Sequence, residues 1–152
     1  MIPQILIPRR IALTVVLIVV SALFPVFTTQ AEVRILSSPG GALDAYLAAF
    51  ARVRQSGERV VIDGPCLSAC TLVLSTIPRN RICVTRRAVL GFHAPQWYYP
   101  GTGQTMRASE ATRVVTASYP PAVRAWIKKR GGLTQKVIYL RGKELAALYP
   151  RC

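Results

Sequence analysis

Two short apolar runs rich in β-branched residues, Val33-Arg34-Ile35-Leu36 and Arg59-Val60-Val61-Ile62, are separated by a stretch with helical periodicity. Between them Leu43, Leu47 and Phe50 recur at helical spacing, Asp44 stands in the first turn where the helix dipole favours a negative charge, and Ser56-Gly57 closes the segment. Strand, helix and strand within about thirty residues make a βαβ unit, which joins parallel strands by a crossover of nearly fixed hand. The second run is continuously apolar, as suits a strand buried on both faces of a parallel sheet. This pattern sets the fold class as α/β.

The remaining elements follow the same pattern. Ser68 to Thr76 is small and apolar, reads as a buried helix, and ends before Pro78. Arg81 to Thr85 and Ala88 to His93 read as a third and a fourth strand, and Gln96 to Thr105 as a loop carrying Trp97, Tyr98 and Tyr99. Helical patterns then run over Ser109 to Ser118, Ala122 to Arg130, Leu133 to Leu140 and Lys143 to Tyr149. The expectation is a single α/β domain over 32–152 with early strands and late helices.

Residues 1–31 carry Arg9 and Arg10, an apolar run from Ile11 to Phe24, a break at Pro25 and the small-residue exit Thr29-Gln30-Ala31. Basic start, apolar middle and small exit describe a secretory signal peptide, and the run is short for a spanning helix. An uncleaved N-terminal anchor is the alternative. Either way the rest of the chain is placed outside the cytoplasm, periplasmic or secreted. The chain's 20 Lys and Arg against 6 Asp and Glu suggest a polyanion binder, but nucleic acid is scarce in that compartment. An anionic envelope surface is the partner such charge fits there. No basic run exceeds Lys128-Lys129-Arg130, so a generally solvated basic surface is the plainer reading. Cys66, Cys70, Cys83 and Cys152 become candidate disulfide partners, with three pairings open. A metal site is disfavoured because no second close cysteine pair follows Cys66-x-x-x-Cys70 and His93 is the single histidine; no cofactor motif is present.

Three motifs stand where strands end, the place at which α/β sheets bind ligands. Ser38-Pro39-Gly40-Gly41 lies between a strand and a helix start, whose free N–H groups can stabilise an oxyanion. Gly64-Pro65-Cys66-Leu67-Ser68-Ala69-Cys70 presents a serine among small neighbours at a strand-to-helix turn, without the Gly-x-Ser-x-Gly pattern of α/β-hydrolases. Gly91-Phe92-His93-Ala94-Pro95 ends a strand with the one residue able to act as general base near neutral pH. Taken singly, each has an ordinary structural reading: a turn, a helix cap and a packed histidine.

In this order and spacing the three motifs resemble the proteolytic subunit of the Clp protease, within the Clp/crotonase superfamily. The late Tyr139-Leu140-Arg141-Gly142-Lys143-Glu144 segment resembles that family's final helical portion. The resemblance implies a truncated Clp/crotonase-like βαβ core with C-terminal helices and no cofactor. It also implies a serine hydrolase acting on a peptide or acyl substrate, in a family given to homo-oligomers. Ser68 would be the nucleophile, His93 its base, and the Gly41 and Ala69 N–H groups the oxyanion hole. The chain departs from the family where a triad aspartate is expected, around Leu133, and no aspartate follows Asp63. Glu144 is the candidate orienting carboxylate in its place. A catalytically inactive Clp-fold binding module of the envelope is the alternative, and a Cys/His pairing with His93 requires a free thiol at Cys66 or Cys70. The distance from Ser68 Oγ to the His93 ring separates enzyme from binding module.

Overall fold

A computed structural model describes residues 31–98, 101 and 105–152. The signal peptide expected over 1–31 lies outside the described residues but for Ala31. The first sheet is wholly parallel, with β1 (Glu32–Ile35), β2 (Arg59–Ile62) and β4 (Ile82–Val84) in the order β1-β2-β4. Val33 is in register with Val60 and Val60 with Ile82, so the βαβ unit read from the sequence is present, closed by helix α1 (Leu43–Ser56). Val60, Val61, Ile62, Ile82 and Val84 are all buried, as a strand covered on both faces requires.

A second sheet holds β3 (Pro65–Leu67), β5 (Val89–Phe92) and β8 (Ile138–Arg141), with β3 parallel and β8 antiparallel to β5. An isolated parallel bridge sets Ser38 beside Cys66, extending this sheet by one chain. Three chains therefore leave the first sheet and re-enter the second in unchanged order: β1 into Ser38, β2 into β3, and β4 into β5. Backbone bonds carry the ladder through the corner, from Asp63 N–H to Ile35 O (2.8 Å) and from Val89 N–H to Gly64 O (3.2 Å). Gly64 is required there, because a Cβ would stand 1.9 Å from the Leu36 carbonyl oxygen.

The helical segment after β3 opens as a 3-10 turn over Ser68–Leu72 and continues as α2 (Val73–Thr76). Helices α3 (Ser109–Ser118), α4 (Pro121–Lys129, with proline in its first turn) and α5 (Gly142–Leu148) complete the set among the described residues. Phe92, Tyr119, Val123, Trp126, Ile127, Leu140, Leu145 and Tyr149 join the strand residues in one hydrophobic cluster. Each such large side chain taken fully from water contributes about 1.5–3 kcal/mol.

Two sequence readings are corrected. Leu133 to Leu140 is not a helix: Ile138–Arg141 pairs with β5, with Leu140 fully buried and Tyr139 half exposed. The seven-residue interval from Leu133 to Leu140 imitates a helical repeat, while Val137 and Ile138 carry the strand preference that prevails. Gln96 to Thr105 is not all loop, since β6 (Gln96–Tyr98) pairs antiparallel with β7 (Thr105–Arg107). Tyr99 lies outside the described residues.

The disulfides are Cys66–Cys70 and Cys83–Cys152, and among the described residues no cysteine is free. The second holds Pro150–Cys152 along β4, where Val84 N–H donates to Pro150 O (2.9 Å) and Cys152 N–H to Val84 O (3.3 Å). Both fit an oxidising compartment. No helix among the described residues is long and apolar enough to cross a membrane.

Candidate active site

The continuous order of chains across the corner brings the three motifs together. Ser38 to Gly41, Ser68 and His93 follow three neighbouring parallel chains at their C-terminal ends. In the β3–β5 register Leu67 faces Gly91, so one step further along Ser68 comes level with Phe92, the residue before His93. Ser68 Oγ lies 2.8 Å from His93 Nε2. The two side chains, 25 positions apart, are within direct hydrogen-bond reach.

Ser68 has φ +54°, the one non-glycine residue with a positive φ among those described. A side chain in this left-handed region costs roughly 1–2 kcal/mol and persists only where its surroundings impose it. The turn is held from several sides. Leu67 N–H donates to Ser38 O at 2.9 Å, and the Cys66–Cys70 disulfide closes the chain on either side of the serine. Gly40, itself at φ +88°, packs so closely that a Cβ there would be 2.5 Å from Ser68 Cβ and 2.6 Å from Leu67 O. Ser38 Oγ and Tyr46 Oη, 2.7 Å apart, tie the glycine turn to α1.

The His93 ring is oriented by backbone. Nδ1 is 2.8 Å from the Ala94 carbonyl oxygen, which only accepts, so Nδ1 carries the proton and Nε2 presents its lone pair to Ser68. Ala94 is fixed in turn, since its N–H donates to Thr134 O at 2.7 Å. The Thr134 carbonyl thus meets the histidine segment in the stretch where the family resemblance leads one to seek an aspartate.

Glu144 does not take the aspartate's place. Its carboxylate is engaged by Arg130 Nη2 at 2.8 Å and by Trp126 Nε1 at 3.4 Å, with the Arg130 guanidinium also stacked over the Trp126 ring. Lying in the first turn of α5, it is spent on α4 rather than on His93. Glu110 is likewise paired, with Arg113 at 2.6 Å. The thiolate alternative also fails, because both cysteines beside Ser68 are bonded to each other and buried.

A cleft of about 680 Å³ opens over the pair, lined by Gly41, Leu43, Asp44, Ser68, His93 and Trp97 among others. Gly41 therefore faces the same space as the serine and histidine. Ala69 is the second residue of the 3-10 turn, a position whose N–H has no acceptor within the helix. Trp97 is 62% exposed at the cleft and does not pack into the core. Three features escape sequence reading: the Ala94 carbonyl, the contact of Gly40 with Ser68, and a buried bond between Thr71 and Tyr119. Only Gly40 left a trace, in its glycine pair.

No family model and no curated protein matches the sequence. Among solved structures the chain is similar to a mutant of the 1510-N membrane-bound stomatin-specific protease, with a TM-score of 0.53 and 19% identity. The match covers 77% of this chain and 60% of that one. This shows a mixed α/β fold shared with a protease, over less than two thirds of that protein's chain.

Proposed function

We propose that residues 32–152 form an exported serine hydrolase of Clp/crotonase type that cleaves a peptide or related acyl substrate. The carrying observation is the 2.8 Å contact between Ser68 Oγ and His93 Nε2 at a serine held in a left-handed turn. The protease-like fold supports the same reading. In the first step His93 Nε2 takes the Ser68 hydroxyl proton as Oγ bonds to the acyl carbon. The Gly41 and Ala69 N–H groups face the negative charge that develops on the substrate oxygen. The protonated Nε2 then gives its proton to the departing group, leaving an acyl-serine. Water, deprotonated by the same nitrogen, attacks the acyl carbon and frees the serine.

A carbonyl replaces the carboxylate of a full triad at Nδ1. In serine proteases, asparagine in place of the orienting aspartate costs about 10⁴ in turnover because the imidazole takes the wrong tautomer. The Ala94 carbonyl holds the productive tautomer, so this Ser-His pair is spared that loss. It still lacks a negative charge to stabilise the imidazolium. The missing charge supports a second reading, in which the fold is retained as a non-catalytic binding module of the envelope.

A fluorophosphonate probe applied to the purified oxidised protein separates the two. Covalent labelling of wild type that is lost in Ser68→Ala establishes the hydrolase. Absence of labelling under both oxidising and reducing conditions overturns it. In the binding-module case, charge reversal at Lys128 and Lys129 abolishes the cellular phenotype while Ser68→Ala leaves it intact.

A further inference from the structure

We propose that Thr71 and Tyr119 are positioning residues for the Ser68–His93 pair, acting as one brace that reaches both partners. The inference rests on the hydrolase reading of that pair. Thr71 Oγ1 donates to the Ser68 carbonyl oxygen at 2.6 Å, and Tyr119 Oη lies 2.6 Å from Thr71 Oγ1. The Ser68 carbonyl can only accept, so the Thr71 proton is committed to it and the Tyr119 hydroxyl must donate to Thr71. The bonds run in one direction, from Tyr119 through Thr71 to the backbone of the serine.

The same tyrosine reaches the other partner through its ring. Tyr119 packs edge-on against Phe92, with centroids 5.3 Å apart, and Phe92 directly precedes His93. One side chain thus joins the turn that presents the nucleophile to the strand that presents the base. Tyr119 sits between α3 and α4 and is itself tethered, its carbonyl accepting from Arg124 Nη1 at 2.9 Å. Thr71 and Tyr119 are both buried, so the bond between them is sheltered from water. Burial pushes the Tyr119 phenol up to about 12, which keeps it a donor throughout the neutral range.

Bonding of a threonine to the carbonyl three residues back is common in helices. What sets this one apart is its target, the carbonyl of the residue at φ +54°. Holding that carbonyl helps fix the direction of the Cα–Cβ bond, and with it the place of Oγ. A displacement of about 1 Å at a reacting atom costs about 10²-fold in rate.

The test uses the full oxidised chain and two readouts. Second-order labelling by a fluorophosphonate should fall about 10²-fold in Thr71→Val. It should fall about tenfold in Tyr119→Phe, which removes one hydrogen bond but keeps the ring. Thr71→Ser should return it to near wild type. His93 is the only histidine, so its ring ¹⁵N signals report the Ser68 contact without ambiguity. In Thr71→Val they should move toward the signals of Ser68→Ala, and in Thr71→Ser return. Thr112→Val is the structural control, since it deletes another buried hydroxyl bonded to a backbone carbonyl, that of Ala108.

If Thr71→Val and Tyr119→Phe both keep wild-type His93 signals, or if Thr112→Val shifts them equally, the proposal is overturned. Should Thr71→Val fail to fold, Tyr119→Phe decides by the same readouts. Wild type that is never labelled refutes the hydrolase reading, and the ¹⁵N signals still judge the brace on their own.

Discussion

The two disulfides enclose very different lengths of chain, and their removal should separate stability from site geometry. Cys83 and Cys152 are 69 positions apart, whereas Cys66 and Cys70 are 4 apart. Loop-closure entropy puts the stabilisation at about 4.4 kcal/mol for the long loop and about 2 kcal/mol for the short one. Replacing each buried sulfur by a methyl hydrogen adds roughly 1 kcal/mol of cavity cost. Cys83, Cys66 and Cys70 are buried and Cys152 is exposed, so that cost falls once on the long pair and twice on the short. The paired alanine variants should then lose about 5 and about 4 kcal/mol respectively, each a large share of a total of about 5–15 kcal/mol. The totals are close, but their origins differ. Opening the long loop releases the unfolded chain, which should expose more surface and raise the urea m-value; opening the short loop should leave m nearly unchanged. With m near 2 kcal/mol/M, the long-pair variant should move its urea midpoint down by about 2.5 M. The short-pair variant should also lose fluorophosphonate reactivity in the temperature range where it stays folded, because its bridge closes around Ser68. An unchanged m-value for Cys83→Ala/Cys152→Ala, or full reactivity in Cys66→Ala/Cys70→Ala, would refute this reasoning.

Gly40→Ala should abolish labelling at Ser68, since the new Cβ meets both Ser68 Cβ and Leu67 O and the residue must keep φ +88°; a variant labelled at the wild-type rate contradicts this packing. Asp63 is held well below the usual carboxylate range, chiefly by its hydrogen bond from Arg87 and then by those from Thr85 and Arg34. Its contribution is present above the ordinary carboxylate pKa near 4 and is lost as pH falls further, so acid titrations should show Asp63→Asn less stable at neutral pH with a flatter loss below pH about 4. Burial raises Tyr119 and Tyr149 to about 12 each. Their contribution is intact below the ordinary phenol value of about 10 and disappears as pH rises through about 12, so thermal midpoints should fall across that window, and less steeply in Tyr149→Phe. Leu140→Ala, which empties a fully buried place on β8, should cost about 2–5 kcal/mol by urea denaturation.

The parts legible in the sequence are those carried by short-range pattern. Val33 to Leu36, Leu43 to Gln55 and Arg59 to Ile62 each announce their own type, and β1, α1 and β2 match them to within a residue at either end. Ser68 and His93 were legible because a serine among small residues and a lone histidine each stand just after a strand. The sheet's turn at the corner was not legible, because Asp63-Gly64-Pro65 reads as an ordinary turn. Only the Leu36 carbonyl against Gly64 shows why the chains must cross there. β8 is not legible in the sequence because its partner, β5, is about fifty residues earlier, and no local pattern records that pairing. Glu144 stands out in the sequence only because so few carboxylates follow His93. Its true partners, Trp126 of α4 and Arg130 just past that helix's end, are brought to it by packing that sequence spacing does not disclose.

What orients the histidine bears most on what this site can do. A side-chain carboxylate orients an imidazole and also neutralises it when protonated; a backbone carbonyl does the first and only weakly the second. The carbonyl has a compensating advantage, because Ala94 is pinned by Thr134 and involves no side-chain rotamer that must be ordered. It also has no titration of its own. The chain carries 20 basic side chains against 6 acidic. Four of those acids, Glu32, Asp63, Glu110 and Glu144, are already paired with arginines, whereas Asp44 lies on the cleft and bonds only the neighbouring Ala45 N–H. Within this site the His93 ring therefore meets a backbone carbonyl and a hydroxyl, and no carboxylate partner among the described residues. Such an arrangement places the burden of rate on the geometry of the serine. The φ +54° turn, the Gly40 contact, the disulfide and the Thr71–Tyr119 bond all converge on that one residue.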